Sequence, residues 1–203
     1  MAEPGAASTR ERILLAAIEC MEGQGVEGVT VRGIAAAAGV NVAAISYHYG
    51  GKGALMEEAL ERTLHNAFSL EELDGLLADG FGLRQALGAY LVQFLEDALK
   101  WPGLMEAHLH DPLTRREYPE RLVRRMDEML KRFAGVVAPL MEGVGEAARL
   151  RSAVQFWSAV LLPVLLPGLF VGAGVDLKEE SGRRVYVSSL LDRFFSGSTA
   201  GGG

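Results

Sequence analysis

The sequence predicts an all-α protein, with a small three-helix head followed by a larger helical body. Three observations carry that expectation. Apolar residues recur at helical spacing along most of the chain, Gly and Pro cluster between the periodic stretches, and no stretch alternates apolar and polar residues as a half-buried strand would. Composition sets the same frame. The 203 residues, 49% hydrophobic and 23% charged, are enough to bury a core and too apolar for a disordered chain. The single cysteine, Cys20, excludes an internal disulfide and a paired-cysteine metal site, and fits a reducing cytosol. The opening residues MAEPGAASTRER contain no apolar run, so no secretory leader is expected. The net charge of −6 means that any nucleic-acid binding must come from a local patch.

Each helix has its own signals. Ser8 and Glu11 form a capping box ahead of Leu14, Ala17, Ile18 and Met21, which share one face, and Gly23 and Gly25 end that helix. Thr30 caps a second helix whose Val31, Ile34, Ala35 and Ala38 repeat the spacing, and Gly39 stops it. Asn41 caps a short third helix over 42–49, closed by Gly50-Gly51, and a longer helix follows with Leu60, Leu64, Ala67 and Phe68 on one face. Residues 70–82 read as a loop or a frayed connection. Helices are then expected over 83–100, 103–115, 118–142, 146–170 and 183–195, the fourth broken by Gly172, Gly174 and Asp176. The domain boundaries drawn from this are 1–52 for the head, 53–195 for the body and 196–203 for a Gly/Ser/Thr-rich tail expected to be disordered.

Residues 152–175 carry no charge over 24 positions, long enough for a membrane span by length alone. Gln155 and Ser158 in its first half, Pro163 and Pro167 within it, and Asp176 at its end favour a buried helix instead. A helix apolar all round must be covered on every side, and a partner chain would do it. The expected dimer surface is therefore 150–172 with 183–195, through Trp157, Val160, Leu161, Val164, Leu165, Val187, Leu190, Leu191 and Phe194.

The stretch Thr30 to Lys52, TVRGIAAAAGVNVAAISYHYGGK, has the helix, glycine turn and short second helix of a helix-turn-helix. Ala35 to Ala38 allow close helix approach, Val40 reads as a buried plug and Ile45 as inward-facing, with Ala43, Ser46 and Tyr47 outside. No Asp or Glu occurs between Gly28 and Met56, although Arg32, His48 and Lys52 do, so this window can admit a polyanion. The short helix also offers its N-terminus to phosphate.

In these residues the segment resembles the DNA-binding head of the TetR family of bacterial transcriptional regulators. The resemblance rests on Thr30, Ile34-Ala35, Ala38-Gly39-Val40, Tyr47-His48-Tyr49 and Lys52, and covers about residues 9–60. The stretches AAISYHYGGK and HDPLTRREYPE are similar to a CecR-like subgroup. Ser46 departs from the family pattern, in which many members have an aromatic residue. The resemblance implies a cytoplasmic homodimer, a repressor, binding a palindromic double-stranded DNA operator with half-sites a helical turn or a multiple apart, roughly 34–36 Å per turn. It implies that Thr30, Arg32 and Lys52 hold phosphates, that Asn41, Val42, Ala43, Ala44 and Ser46 face the major groove, and that Tyr47 and His48 contact the sugar-phosphate backbone. It also implies a small apolar or aromatic effector, not identified by the sequence, in the C-terminal helices. Candidate ligand residues are Trp101, Met105, His108, Met126, Met129, Phe133, Phe156 and Trp157.

Other readings of the same residues stay open. Tyr49 reads as a core aromatic, and Asn41 can be a helix cap and no more. His108, His110 and Asp111 hold metal-ligating groups, but residues two apart diverge on a helix, so no metal or other cofactor is expected. No nucleophile elbow, P-loop or dinucleotide fingerprint occurs, and an enzyme is not expected. The rival class is a helical membrane-associated or protein-interaction dimer using 152–175.

Overall fold

A computed structural model describes residues 7–195, and every regular element among them is helical. The expected tail, 196–203, lies outside the described residues. Helix α1 (Thr9–Gly28) starts at Ser8, whose hydroxyl accepts the Glu11 N–H at 3.1 Å, and loses helical geometry at Gly25, with φ 68°. Helices α2 (Val31–Ala38) and α3 (Val42–Tyr49) follow where their caps indicated, and α4 (Lys52–Ala67) begins directly after Gly50-Gly51. The stretch read as a loop contains α5 (Glu71–Ala78). Its first turn holds Glu71, Glu72 and Asp74, which suit the positive end of a helix, and Leu73 anchors it. Two turns with Gly75 in the middle are too short to show a periodic signature.

The chain continues through α6 (Leu83–Lys100), α7 (Pro102–Thr114), α8 (Glu120–Val136), a 3₁₀ turn at Ala138–Leu140, α9 (Glu146–Leu165), α10 (Pro167–Phe170), a second 3₁₀ turn at Val171–Ala173 and α11 (Glu180–Phe195). The expected helix 118–142 thus ends early, in a turn around Pro139, and the expected helix 146–170 ends at Leu165. Proline disfavours helical geometry in the residue before it, and Leu166, ahead of Pro167, stands at φ −132° and ψ 56°.

Two compact units result, one of residues up to 66 with 101–122, the other of 67–100 with 123 onward. Compactness divides the chain elsewhere than at the expected 52/53 boundary, because α4 and α7 join α1–α3. The α1–α7 approach is close. A Cβ on Gly103 would stand 2.4 Å from the Glu22 carbonyl oxygen, and the Glu22 carboxylate caps α7 by accepting the Leu104 N–H at 2.8 Å. The core of this unit joins Ile13, Leu14, Met21, Ile34, Ile45 and Leu55, with Leu104 and Ala107 of α7 packed against it. In the second unit α6 packs on α5, α9 and α11. Its aromatic centre has Phe133 stacked on Phe156 at 5.1 Å and Phe94 edge-on to Trp157 at 5.1 Å. Buried Arg183 ties the start of α11 to the carbonyls of Leu177 and Lys178 and to Glu96 on α6.

The expected dimer residues need correction. Trp157, Val160, Val164, Val187, Leu190 and Leu191 are buried by the chain's own side chains, and Leu161, Leu165 and Phe194 are half-buried. A helix apolar on all sides carries no contrast from which its inner face can be read. Here the inner face is the one the expectation had assigned to a partner. The exposed apolar residues of the same elements are Val154 and Leu162 on α9, Leu166, Leu169 and Val171 beyond it, and Val185 on α11. Among the described residues no single helix is long and apolar enough to cross a membrane, and α9 is bent by 101° from the turns that follow it.

Pro163 sits inside α9 and has no N–H to give the Ala159 carbonyl one turn earlier. The Tyr186 hydroxyl of α11 donates to that carbonyl at 2.7 Å, so a side chain from the neighbouring helix replaces the missing backbone bond. Tyr186→Phe should therefore lower unfolding stability by about 1 kcal/mol in a urea titration. In a Pro163→Ala background the same change should cost clearly less, because residue 163 then supplies the donor. Equal costs in the two backgrounds would refute this account.

Candidate nucleic-acid interface

The turn between α2 and α3 is built by Gly39 at φ 64°, a left-handed conformation that costs an L-residue about 1–2 kcal/mol. The Gly39 N–H bonds the Ala36 carbonyl at 3.2 Å and the Val40 N–H bonds that of Ala35 at 2.9 Å, the paired bonds of a Schellman motif. Val40 packs against the head's core, and Ile45 is fully buried one turn and a half later. Those anchors roll α3 so that Asn41, Val42, Ala43, Ser46 and Tyr47 face outward, Tyr47 at 85% exposure, with Ala44 and His48 half-buried.

Several of the polar groups already have partners. Thr30 caps α2, its hydroxyl oxygen accepting the Gly33 N–H at 3.0 Å. Asn41 caps α3, its Oδ1 accepting the Ala43 N–H at 2.9 Å. His48 lies edge-on to Tyr47 with ring centres 5.0 Å apart. Tyr49 points the other way, into the core. Its hydroxyl donates to the Arg10 carbonyl at 2.6 Å, the Arg10 guanidinium covers its ring at 4.7 Å, and burial pushes its phenol pKa up. The Arg10 contact is a link that helical spacing cannot reveal, since 39 residues separate the partners. Arg32 at the start of α2 and Lys52 at the start of α4 have no acidic partner among the described residues, whereas Arg10 is paired with Glu58 at 2.5 Å and Arg62 with Glu11 at 3.1 Å.

Comparison with known proteins bears on this geometry. Residues 13–59, spanning α1 to the middle of α4, match the family described as bacterial regulatory proteins, tetR family. The protein described as "Probable HTH-type transcriptional regulator YttP", from Bacillus subtilis strain 168, is 34% identical over 120 residues, 56% of this chain and 50% of its own length. Over those residues the chain is similar to the DNA-binding head of the TetR family. It spans about half the length of that curated relative. Two solved structures share the fold. One is a TetR-family transcriptional regulator of Mesorhizobium loti, with a TM-score of 0.72, 14% identity and coverage of 93% of this chain and 95% of that one. The other is the multidrug binding protein EbrR complexed with imidazole, with a TM-score of 0.58, 20% identity and coverage of 91% and 96%.

The ligand residues expected of a TetR-family body fall into both units. Trp101, 46% exposed, half-buried Met105 and buried His108 belong to the unit that holds the head. Met126, Met129, Phe133, Phe156 and Trp157 belong to the other, where all but Met126 are buried. There Phe68 and Phe94 also touch the Trp157 ring, and sequence reasoning missed both. The spacing of Tyr90 and Phe94 on one face of α6 was the signal available. The Trp157 Nε1–H is buried with no acceptor among the described residues.

His108 and His110 part company. His110 lies 3.6 Å from Glu27 of α1, while His108 Nε2 meets the Thr63 hydroxyl of α4 at 3.0 Å. Among the described residues no three metal-ligating side chains come together. Cys20 is buried and its thiol pKa is raised by that burial. Burial pushes the His108 imidazole down from its ordinary 6.5 to about 4, with the charge of Arg121 adding to the effect. A depressed histidine pKa favours the neutral folded form, so its share of stability is complete above about pH 6.5 and is lost as pH falls through about 4. Wild-type protein should therefore lose on the order of 1–3 kcal/mol more than His108→Gln between pH 7 and pH 4. Urea midpoints of the two proteins across that range measure it, and parallel pH profiles would assign the loss to other groups.

Proposed function

We infer that this chain is a DNA-binding transcriptional regulator, a repressor that grips a palindromic operator as a homodimer and is released by a small apolar or aromatic effector. The observation that carries the reading is the outward face of α3, set in a window without acidic residues between the unpaired cations Arg32 and Lys52. On this reading α3 enters the major groove. Thr30, Arg32 and Lys52 hold phosphates, Val42, Ala43, Ala44 and Ser46 meet base edges, and Tyr47 and His48 follow the backbone. The exposed stripe of Val154, Ser158 and Leu162 on α9, with Val185 of α11, serves as the dimer face in place of the buried residues. The ring cluster around Trp157 is the effector candidate, and its unpaired Nε1–H is a donor that a polar atom of the effector would satisfy.

The direct test is fluorescence anisotropy of the purified chain on DNA from upstream of its own gene, against scrambled DNA, at two salt concentrations. Tighter binding to the native fragment, with a steeper salt dependence on the scramble, is the expected result. Equal weak binding there and in a random-pool selection would remove the reading. A chain that leaves the membrane fraction only with detergent would favour the rival use of the exposed Leu162, Leu166 and Leu169.

Lys52→Ala gives a finer test of the assigned roles. It should weaken binding to all sequences alike and reduce the salt slope by about 1 per head. A change in which operator is preferred would show that Lys52 reads bases.

A further inference from the structure

The outward face of α3 is unusual in what it lacks. From Asn41 to Gly51 the chain reads NVAAISYHYGG, without Arg, Lys, Gln, Asp or Glu. Guanine is read in the major groove chiefly by Arg or Lys on its O6 and N7, cytosine by an acidic side chain on its amino group, and adenine by Asn or Gln on N6 and N7. The first two kinds of reader are absent. The third is present once, in Asn41, and its Oδ1 already holds the Ala43 N–H at 2.9 Å. Reading adenine with both ends of the amide would cost the helix its cap. The hydroxyls of Ser46 and Tyr47 donate and accept equally and so discriminate little. Arg32 belongs to α2, the helix that crosses the backbone in this arrangement, and His48 is half-buried against Tyr47.

What remains is apolar except for the weakly discriminating Ser46 hydroxyl. Val42, 42% exposed, and Ala43 stand at the start of α3, with Ser46 one turn on along the same face. The major groove offers one apolar feature to such a surface, the 5-methyl group of thymine. We propose that this head selects its operator through thymine methyl groups, so that the base pairs beneath Val42, Ala43 and Ser46 are A·T pairs with their methyls turned to α3. The inference rests on the DNA-binding reading above and names the chemistry that the same surface recognises. Positions carrying G·C are tolerated or rejected by shape and by loss of the methyl contact, without a bidentate hydrogen bond to guanine.

The test alters the DNA, which leaves the protein's folding untouched. Operators are selected from a random pool with the full chain. The thymines of the selected half-site are then replaced singly by deoxyuridine, which removes the methyl and keeps the pairing, and the guanines by 7-deazaguanine, which removes the N7 acceptor. Two or three deoxyuridine positions per half-site should each weaken binding about three- to fourfold, the worth of one buried methyl. Each 7-deazaguanine should change it less than twofold. Val42→Ser, at an exposed position outside the core, should abolish the deoxyuridine penalty at one base pair and leave the others. Deoxyuridine operators bound as tightly as thymine ones, or a tenfold loss with 7-deazaguanine, would overturn the proposal. A pool that yields no enriched sequence would instead remove the DNA-binding reading on which it stands.

Discussion

The left-handed backbone at Gly39 governs what this head can present. With the chain turned there and closed by the bonds from Gly39 and Val40 back to α2, the register of α3 follows from two anchors, Val40 at its entrance and Ile45 within it. Tyr49 adds a third, bonded to the backbone of α1. Three points fix a helix of eight residues in rotation as well as position, so the exposure of Val42, Ala43, Ser46 and Tyr47 is a consequence of what is buried opposite them. A β-carbon at residue 39 would meet no neighbouring atom, so its cost is that of the left-handed backbone, about 1–2 kcal/mol.

Charge in this unit is arranged by a similar logic. The acidic residues of α1 and α4 are not spread at random over an acidic protein. Glu11 and Glu58 hold Arg62 and Arg10 across the two helices, and Glu57 holds Arg121 at 2.6 Å. Exposed pairs of this kind add little stability, about 0–1 kcal/mol each. Their larger effect is on the field. The fields of Arg10, Arg62 and Arg121 are offset by the carboxylates beside them, while Arg32 and Lys52 lie in the stretch without acids. A chain of net charge −6 thus presents Arg32 and Lys52, without acidic partners among the described residues, beside α3.

The parts of the fold legible in the sequence were those encoded locally. Ser8, Thr30 and Asn41 mark helix starts because an N-cap needs a short polar side chain at one position, and each makes the expected bond. Gly39 marks a stop for the same local reason. What could not be read depends on partners distant in the chain. Glu22 capping α7, Tyr186 serving the carbonyl orphaned by Pro163, and Arg10 covering Tyr49 leave no periodic trace. The division of the ligand residues between two units belongs here too, since it follows from α7 joining α1. The inner face of α9 failed for a different reason. Where every position is apolar, spacing holds no information about direction, and only the packing of α6 and α11 decides it.

The same contrast applies to the recognition surface. Family resemblance located α3, but not which of its groups were free to read DNA. Asn41 reads as both a cap and a base reader, and its Oδ1 is engaged by the Ala43 N–H. Beyond that amide, the exposed surface is one of methyl groups and hydroxyls, with two cations at its edges. Such a surface offers few charged groups to a polyanion, so few phosphate contacts per head are expected from it. On the proposed reading, a second copy of the head would double the phosphate contacts and make recognition depend on the spacing of the two.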